Sequence, residues 1–257
     1  MGENAMYQLG LVSISFRGHT PEELITAVKE AGLSCIEWGS DVHAPCTDEE
    51  RLQQIAAAQK AAGISCCSYG TYFRLGQNDP AELVNYIKAA KILGTRILRL
   101  WCGTKGSEEY SPEELANLYE DCRKVAKIGE ENGVIFCMEC HNNTLTDWKE
   151  PALALMKTIN SPAFRMYWQP NQLRTKEENL AYAKLLSPWT EHLHVFNWDC
   201  PNGGPLEKYP LDGAVDTWKD YLVQLPGERC LLLEFMPDDK LETLKTEANA
   251  LRKIVGE

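Results

Sequence analysis

Four apolar, strand-like runs in the second half of the chain end in groups that can donate an electron pair. They are Cys137-Met138-Glu139-Cys140-His141, Tyr167-Trp168-Gln169-Pro170-Asn171, His192-Leu193-His194-Val195 and Leu231-Leu232-Leu233-Glu234. With side chains alternating along a strand, Glu139 and His141 share a side with Ile135 and Cys137, His192 lies with His194, and Glu234 with Leu232 and Cys230. A carboxylate ending a Leu-Leu-Leu run is costly to bury unless a cation, a proton or a donor meets it. Any one of these residues alone is explained equally well by a salt bridge at a strand–loop junction. Four successive strands ending this way point to a shared site. Glu139, the Gln169 amide oxygen, His194 and Glu234 make a mixed O/N set suited to Mn²⁺, Mg²⁺, Co²⁺ or Zn²⁺.

The elements that must hold these residues repeat along the chain. Gly32, Gly63 and Gly94 each follow a helical pattern and precede a β-branched or apolar run, and Gly133 does the same. Gly after a helix accepts the left-handed conformation that other residues resist. Thr20-Pro21-Glu22-Glu23 and Ser111-Pro112-Glu113-Glu114 are capping boxes with Pro at the first helical position, and Asp79-Pro80 offers a similar start. Strands are expected at 8–16, 33–38, 64–69, 96–101, 134–140, 164–169, 191–197 and 230–235. Helices are expected at about 21–31, 48–62, 80–93, 112–132, 149–159, 176–186, 215–224 and 240–254. Eight strand–helix units in 257 residues predict an α/β fold, a single (β/α)₈ TIM barrel of one domain over 1–257. No G-x-G-x-x-G follows the first strand, which disfavours an open, doubly wound sheet.

Composition narrows the partners. The 26 Lys and Arg face 37 Asp and Glu, a net charge of −11 that opposes polyphosphate binding. Nucleic acid and membrane are therefore not expected partners, and no apolar run is long enough to span a bilayer. Met1 to Gln8 has no basic and apolar leader pattern. The ten cysteines sit mostly inside apolar runs, as buried thiols of a reducing, cytoplasmic protein would. Cys137 and Cys140, three apart on a strand, face opposite sides and do not suit a shared metal or disulfide.

The strand-end residues resemble those of the xylose isomerase-like TIM-barrel superfamily, which includes sugar phosphate isomerases and epimerases, hydroxypyruvate isomerases and endonuclease IV. The resemblance covers essentially the whole chain. It implies a divalent metal on Glu139, His194 and Glu234, with Gln169 where the family carries Asp. That exchange removes one negative charge, so weaker metal affinity is expected. His141, in the family's Glu-x-His pattern, and His43, in Trp38-Gly39-Ser40-Asp41-Val42-His43, become expected substrate contacts.

The expected chemistry is isomerisation or epimerisation of a small sugar or sugar phosphate. Glu139 and Glu234 would be the acid/base pair and an enediolate the intermediate. Trp38 and Trp101, near strand ends, would stack on sugar faces, although core packing accounts for either equally well. Asn171 would line the pocket wall, and Arg174 would meet hydroxyls or a phosphate unless it merely solvates a loop. Two alternatives use the same site: a dehydratase acting on a polyol or inosose-type substrate, and a sugar-binding barrel without catalysis. Endonuclease chemistry, which needs several metals and many histidines, fits poorly with five histidines and an acidic chain. The sequence leaves assembly into a homo-oligomer open.

Overall fold

The computed structural model describes residues 7–201 and 204–257. The expectation about the leader rests largely on Met1–Met6, which lie outside that range, as do Asn202 and Gly203. Eight parallel strands close into a barrel: β1 (Gln8–Val12), β2 (Cys35–Gly39), β3 (Ser65–Leu75), β4 (Ile97–Cys102), β5 (Ile135–Glu139), β6 (Phe164–Trp168), β7 (Thr190–Val195) and β10 (Cys230–Leu233). Closure is made by β1, which pairs Leu9 with Leu231 on one side and Leu11 with Ile36 on the other. Around it stand α1 (Pro21–Glu30), α2 (Glu49–Ala62), α3 (Leu83–Leu93), α4 (Pro112–Asn132), α5 (Lys149–Ile159), α6 (Lys176–Leu186), α7 (Val215–Gln224) and α8 (Leu244–Val255). The fold is the (β/α)₈ barrel expected from the repeat.

The punctuation that forecast the helices is largely borne out, although Asp79-Pro80 opens a 3₁₀ turn and α3 begins only at Leu83. Thr20 and Ser111 form full capping boxes, and Gly63, Gly94 and Gly133 take left-handed backbones at the ends of α2, α3 and α4. Outward-facing strand residues pack on the helices, as Leu98, Phe136, Met138 and Leu193 do, and form the main core. Inward-facing residues fill the barrel. Toward its N-terminal end these are Cys35, Cys67, Cys137 and Cys230, with Val12, Leu232 and Tyr167 packed above them. As the alternation requires, Cys137 points inward and Cys140 joins the outer core.

Several boundaries depart from the expectations by a few residues, and three departures bear on the mouth of the barrel. β1 stops at Val12, and Ser13–Phe16 turns into a 3₁₀ segment, because the ladders to β2 and β10 end at Val12 and Leu11. The freed Ser13 and Ser15 hydroxyls accept from the backbone N–H of Gly39 and Phe235 and tie loops of the mouth together. β3 runs on to Leu75 instead of ending at Tyr69, rejoining β4 at Arg74–Trp101 after an irregular stretch. Finally, an antiparallel ribbon of β8 (Trp198–Asp199) and β9 (Glu207–Lys208) rises after β7.

Candidate active site

Five charged or ionisable side chains meet inside the C-terminal end of the barrel. Glu37 comes from β2, Arg99 from β4, Glu139 from the end of β5, His194 from β7 and Glu234 from the residue after β10. All are buried, none more than 5% exposed. Arg99 is the bridge: its Nε donates to Glu37 Oε1 at 3.0 Å and its Nη1 to Glu139 Oε2 at 2.7 Å. Trp101 Nε1 donates to the same Glu139 oxygen. Ser68 donates to Glu37 Oε2 at 2.6 Å and also meets the Tyr167 hydroxyl at 3.1 Å. These contacts occupy Glu37 fully but leave Glu139 Oε1 facing His194.

His194 has two different sides. Its Nε2 lies 3.4 Å from Glu37 Oε1. Its Nδ1 faces Glu139 Oε1 at 3.3 Å, Gln169 Oε1 at 3.3 Å and Glu234 Oε2 at 3.7 Å. A carboxylate behind one imidazole nitrogen orients the ring and raises the basicity of the other, as around metal-bound histidines. Gln169 Nε2 donates to the Cys140 carbonyl at 3.0 Å, which fixes the amide so that its oxygen points at the same centre.

The charges show what this arrangement lacks. With His194 neutral, Glu37, Glu139 and Glu234 carry three negative charges against one on Arg99. A buried cluster with that deficit recruits protons or a cation. Burial opposes ionisation of Glu139, but the Arg99 guanidinium and His194 outweigh it and hold its carboxyl at about 2. Glu37 is likewise driven down, burial being overcome by Arg99 and His194. Glu234 moves the other way: burial raises it, and the nearby Glu139 charge adds to that rise against the pull of His194. Burial alone would lower His194, yet the surrounding carboxylates, Glu234 first, lift it to about 10. The chain's own charges thus favour a proton on His194 and resist ionisation of Glu234, a deficit of positive charge that one divalent cation could fill. Glu139, His194 and Glu234 offer atoms within 4.8 Å of one another, and Gln169 supplies a fourth from the neighbouring strand. This donor set fits a divalent metal.

Arg99, Glu139 and Glu234 of the cluster, with Gln169, line a cavity of about 210 Å³, lined also by Arg17, Tyr72, Trp101, His141, Trp198 and Leu206, while Glu37 and His194 lie beneath it. Trp198 and Leu206 belong to the ribbon and its turn, so this insertion forms part of the cavity wall. Arg17 stands at the rim, donating to Asp41 at 2.9 Å and to the Tyr72 hydroxyl.

Of the residues picked from the sequence, Glu139, Gln169, His194, Glu234, Trp101 and His141 converge here. Trp38, His43, Asn171 and Arg174 do not line this cavity. Trp38 is buried on the outer face of β2 and donates to Gln59 Oε1 at 2.9 Å. Both His43 ring nitrogens are engaged, by Ser13 Oγ and the His19 carbonyl, each at 3.1 Å. Asn171 braces loops, donating to Asn142 Oδ1 at 2.8 Å and the Asp147 carbonyl at 3.0 Å. Arg174 lies over the Trp148 ring, 4.2 Å from its centroid. Glu37 and Arg99 were not singled out, although a charge inside each of Cys35-Ile36-Glu37-Trp38 and Leu98-Arg99-Leu100 was the available signal.

Comparison with known proteins bears on the family and the fold. Residues 25–254 match the pattern of the xylose isomerase-like TIM barrel. The chain belongs to that family. Among relatives of the xylose isomerase-like barrel, a 3-dehydroshikimate dehydratase of Bacillus anthracis is 25% identical over 123 residues, spanning 46% of this chain and 40% of the relative. Solved structures of similar fold include the probable 3-DHS dehydratase AsbF of Bacillus anthracis (TM-score 0.75, 19% identity, 96% of this chain and 98% of that one). A xylose isomerase-like protein of Mycobacterium smegmatis in complex with magnesium aligns at TM-score 0.72 and 13% identity, over 99% of this chain and 98% of that one. A D-psicose 3-epimerase with D-fructose aligns at 0.69 and 15%, over 97% of this chain and all of that one. At these identities the structural likeness speaks for the fold.

Proposed function

We propose that this xylose isomerase-like barrel is a metal-dependent isomerase or epimerase of a small sugar or sugar phosphate, moving a proton at carbon beside a carbonyl. The observation that carries the reading is the pair Glu139 and Glu234, which face the same nitrogen of His194, line one cavity and have proton affinities pushed apart. Unlike affinities in a facing pair are how acid and base roles are assigned. Glu139 Oε1, Gln169 Oε1, His194 Nδ1 and Glu234 Oε2 would hold the ion. When bound, a divalent cation supplies Lewis acidity, stabilising negative charge on the oxygen next to the reacting carbon. Arg99 and Trp101 pin the second Glu139 oxygen, so that carboxylate keeps its position while its Oε1 faces the ion site. Glu234, the group of raised affinity, takes and returns the proton. Trp101 and Trp198 shape the walls, and Arg17 with Tyr72 offers a rim position for a phosphate or carboxylate.

The test is proton–deuteron exchange at substrate carbon, followed by NMR in D₂O across C3–C6 aldoses and ketoses, free and phosphorylated, with and without Mn²⁺ or Mg²⁺. Exchange is expected with the ion and should fall by about 10²–10⁴ in Glu139→Gln and in Glu234→Gln. Undiminished exchange in both variants overturns the proposal.

The dehydratase relative favours a second reading on the same groups. Glu139 would accept the C–H proton while protonated Glu234 gives its proton to the departing hydroxyl, releasing water and leaving a carbon–carbon double bond. With 3-dehydroshikimate as trial substrate, growth of a conjugated, ultraviolet-absorbing product without exchange in the sugar panel would select this reading over the first.

A further inference from the structure

The opposite end of the barrel carries a second group of ligating side chains. Cys35 on β2, Cys67 on β3 and Cys230 on β10 project inward from the N-terminal ends of their strands, and their Sγ atoms all lie within 4.8 Å of one another. All three are free thiols. A metal held by three thiolates at about 2.3 Å sets its sulfurs roughly 3.8–4.0 Å apart, so a contraction of under about 1 Å suffices. The neighbouring strand is cut to fit: a Cβ on Gly10, which pairs with Cys35, would stand 2.5 Å from Cys35 Sγ. It would also meet the Cys35 carbonyl oxygen, and Leu232 Cδ2 at 2.7 Å, so glycine is what lets β1 approach this layer. The layer is close to solvent, with Cys67 9% and Cys230 5% exposed, and Gln8 Oε1 lies 3.8 Å from Cys230 Sγ at the barrel end. His192 supports the same corner, its Nδ1 accepting from the Cys230 N–H at 3.2 Å.

This group is separate from the carboxylate cluster. Tyr167 lies between them, packed in the cysteine layer on one side and tilted against the His194 ring at 4.6 Å between centroids on the other. The two donor sets also differ in chemistry: oxygens and one imidazole at the mouth, sulfur alone here. Thiolates select soft or borderline ions over Mg²⁺ and Mn²⁺.

We infer that Cys35, Cys67 and Cys230 form a second metal site, a three-thiolate centre for a thiophilic divalent cation of the zinc and cadmium class. Its place at the end remote from the substrate cavity makes it a structural clamp joining β2, β3 and β10 across the seam closed by β1.

Cadmium is the probe. Titrating the reduced full-length protein with Cd²⁺ should raise a thiolate-to-metal charge-transfer band that saturates at one equivalent. X-ray absorption of that complex should show three sulfur scatterers. The band should be lost in Cys67→Ser and Cys230→Ser and kept in Glu139→Gln, which alters the carboxylate site, and in Cys122→Ser, which alters the Cys102–Cys122 contact elsewhere. Absence of a stoichiometric band, a shell of oxygen and nitrogen alone, or an unchanged band in Cys67→Ser overturns the inference. The absorption measurement needs no variant, so it decides the matter even if a serine substitution unfolds the chain.

Discussion

Arg99 carries the only fixed positive charge in a cluster of three carboxylates, and it does so 2% exposed. Removing one member of a buried, hydrogen-bonded ion group leaves its partners unpaired, at a cost of about 3–5 kcal/mol. Arg99→Met is therefore expected to lower unfolding free energy by that amount in denaturant titration. Adding Glu37→Gln should recover part of the loss, because one stranded charge then disappears. The residue scale also shows what the sequence could and could not disclose. Glu139, His194 and Glu234 were legible because each follows or sits in an apolar run with a definite side-chain parity. Parity would also have excluded Trp38: once Glu37 points inward, its neighbour must point at α2. Asn171 and Arg174 were beyond such reasoning, since loop side chains have no period, and here they bind other loops instead of facing the cavity. His43 was expected as a substrate contact from the resemblance of its loop, but the 3₁₀ turn that places Ser13 beside its ring was hidden within an apolar stretch.

At the scale of elements, β3 explains how a charged bridge fits inside a barrel. Gly70 sits midway along it, where an added Cβ would lie 2.6 Å from Glu37 Oε1 and 2.8 Å from Arg99 Nη2. In the sequence Gly70-Thr71 reads as the end of a strand, yet the glycine is there to admit two side chains, and the strand continues beyond it. Gly70→Ala should destabilise the protein by about 1–3 kcal/mol, the usual range for overpacking, and displace Arg99 from Glu37. Thermal unfolding and the loss of turnover together would register it, whereas Gly18→Ala, with open space around its Cβ, should leave both unchanged. The ribbon of β8 and β9 escaped the reading because two-residue strands carry no alternation. The Asn202-Gly203-Gly204-Pro205 turn signal was its only trace. Trp198→Ala is expected to raise KM several-fold with little change in melting temperature, since the ring contributes to the cavity wall and lies outside the barrel's layers.

For the molecule as a whole, stability should follow the balance of charge in its centre. Glu139 has a folded value near 2 against an ordinary 4.5, so the stability it contributes is complete above about pH 4.5 and drains away as pH falls toward 2. His194 has a raised value near 10 against an ordinary 6.5, so its contribution is complete below about pH 6.5 and is lost as pH rises through 10. Chelator-treated protein should accordingly melt highest between about pH 4.5 and 6.5 and decline on the alkaline side. Mn²⁺ should flatten that decline, because a cation takes over from the His194 proton. Its binding near neutral pH should release the His194 proton, measurable by calorimetry in buffers of different ionisation enthalpy. A release of none would mean that the ion had bound elsewhere.

Tyr167 and Leu232, filling the barrel midway, have one last consequence. Among the described residues they pack between the cysteine layer and the carboxylates, so the carboxylates are met from the cavity that Trp198 and Leu206 help to wall. Substrate choice in this scaffold is then a property of one short insertion and the loops around it, and could be rebuilt there while the barrel beneath is left untouched.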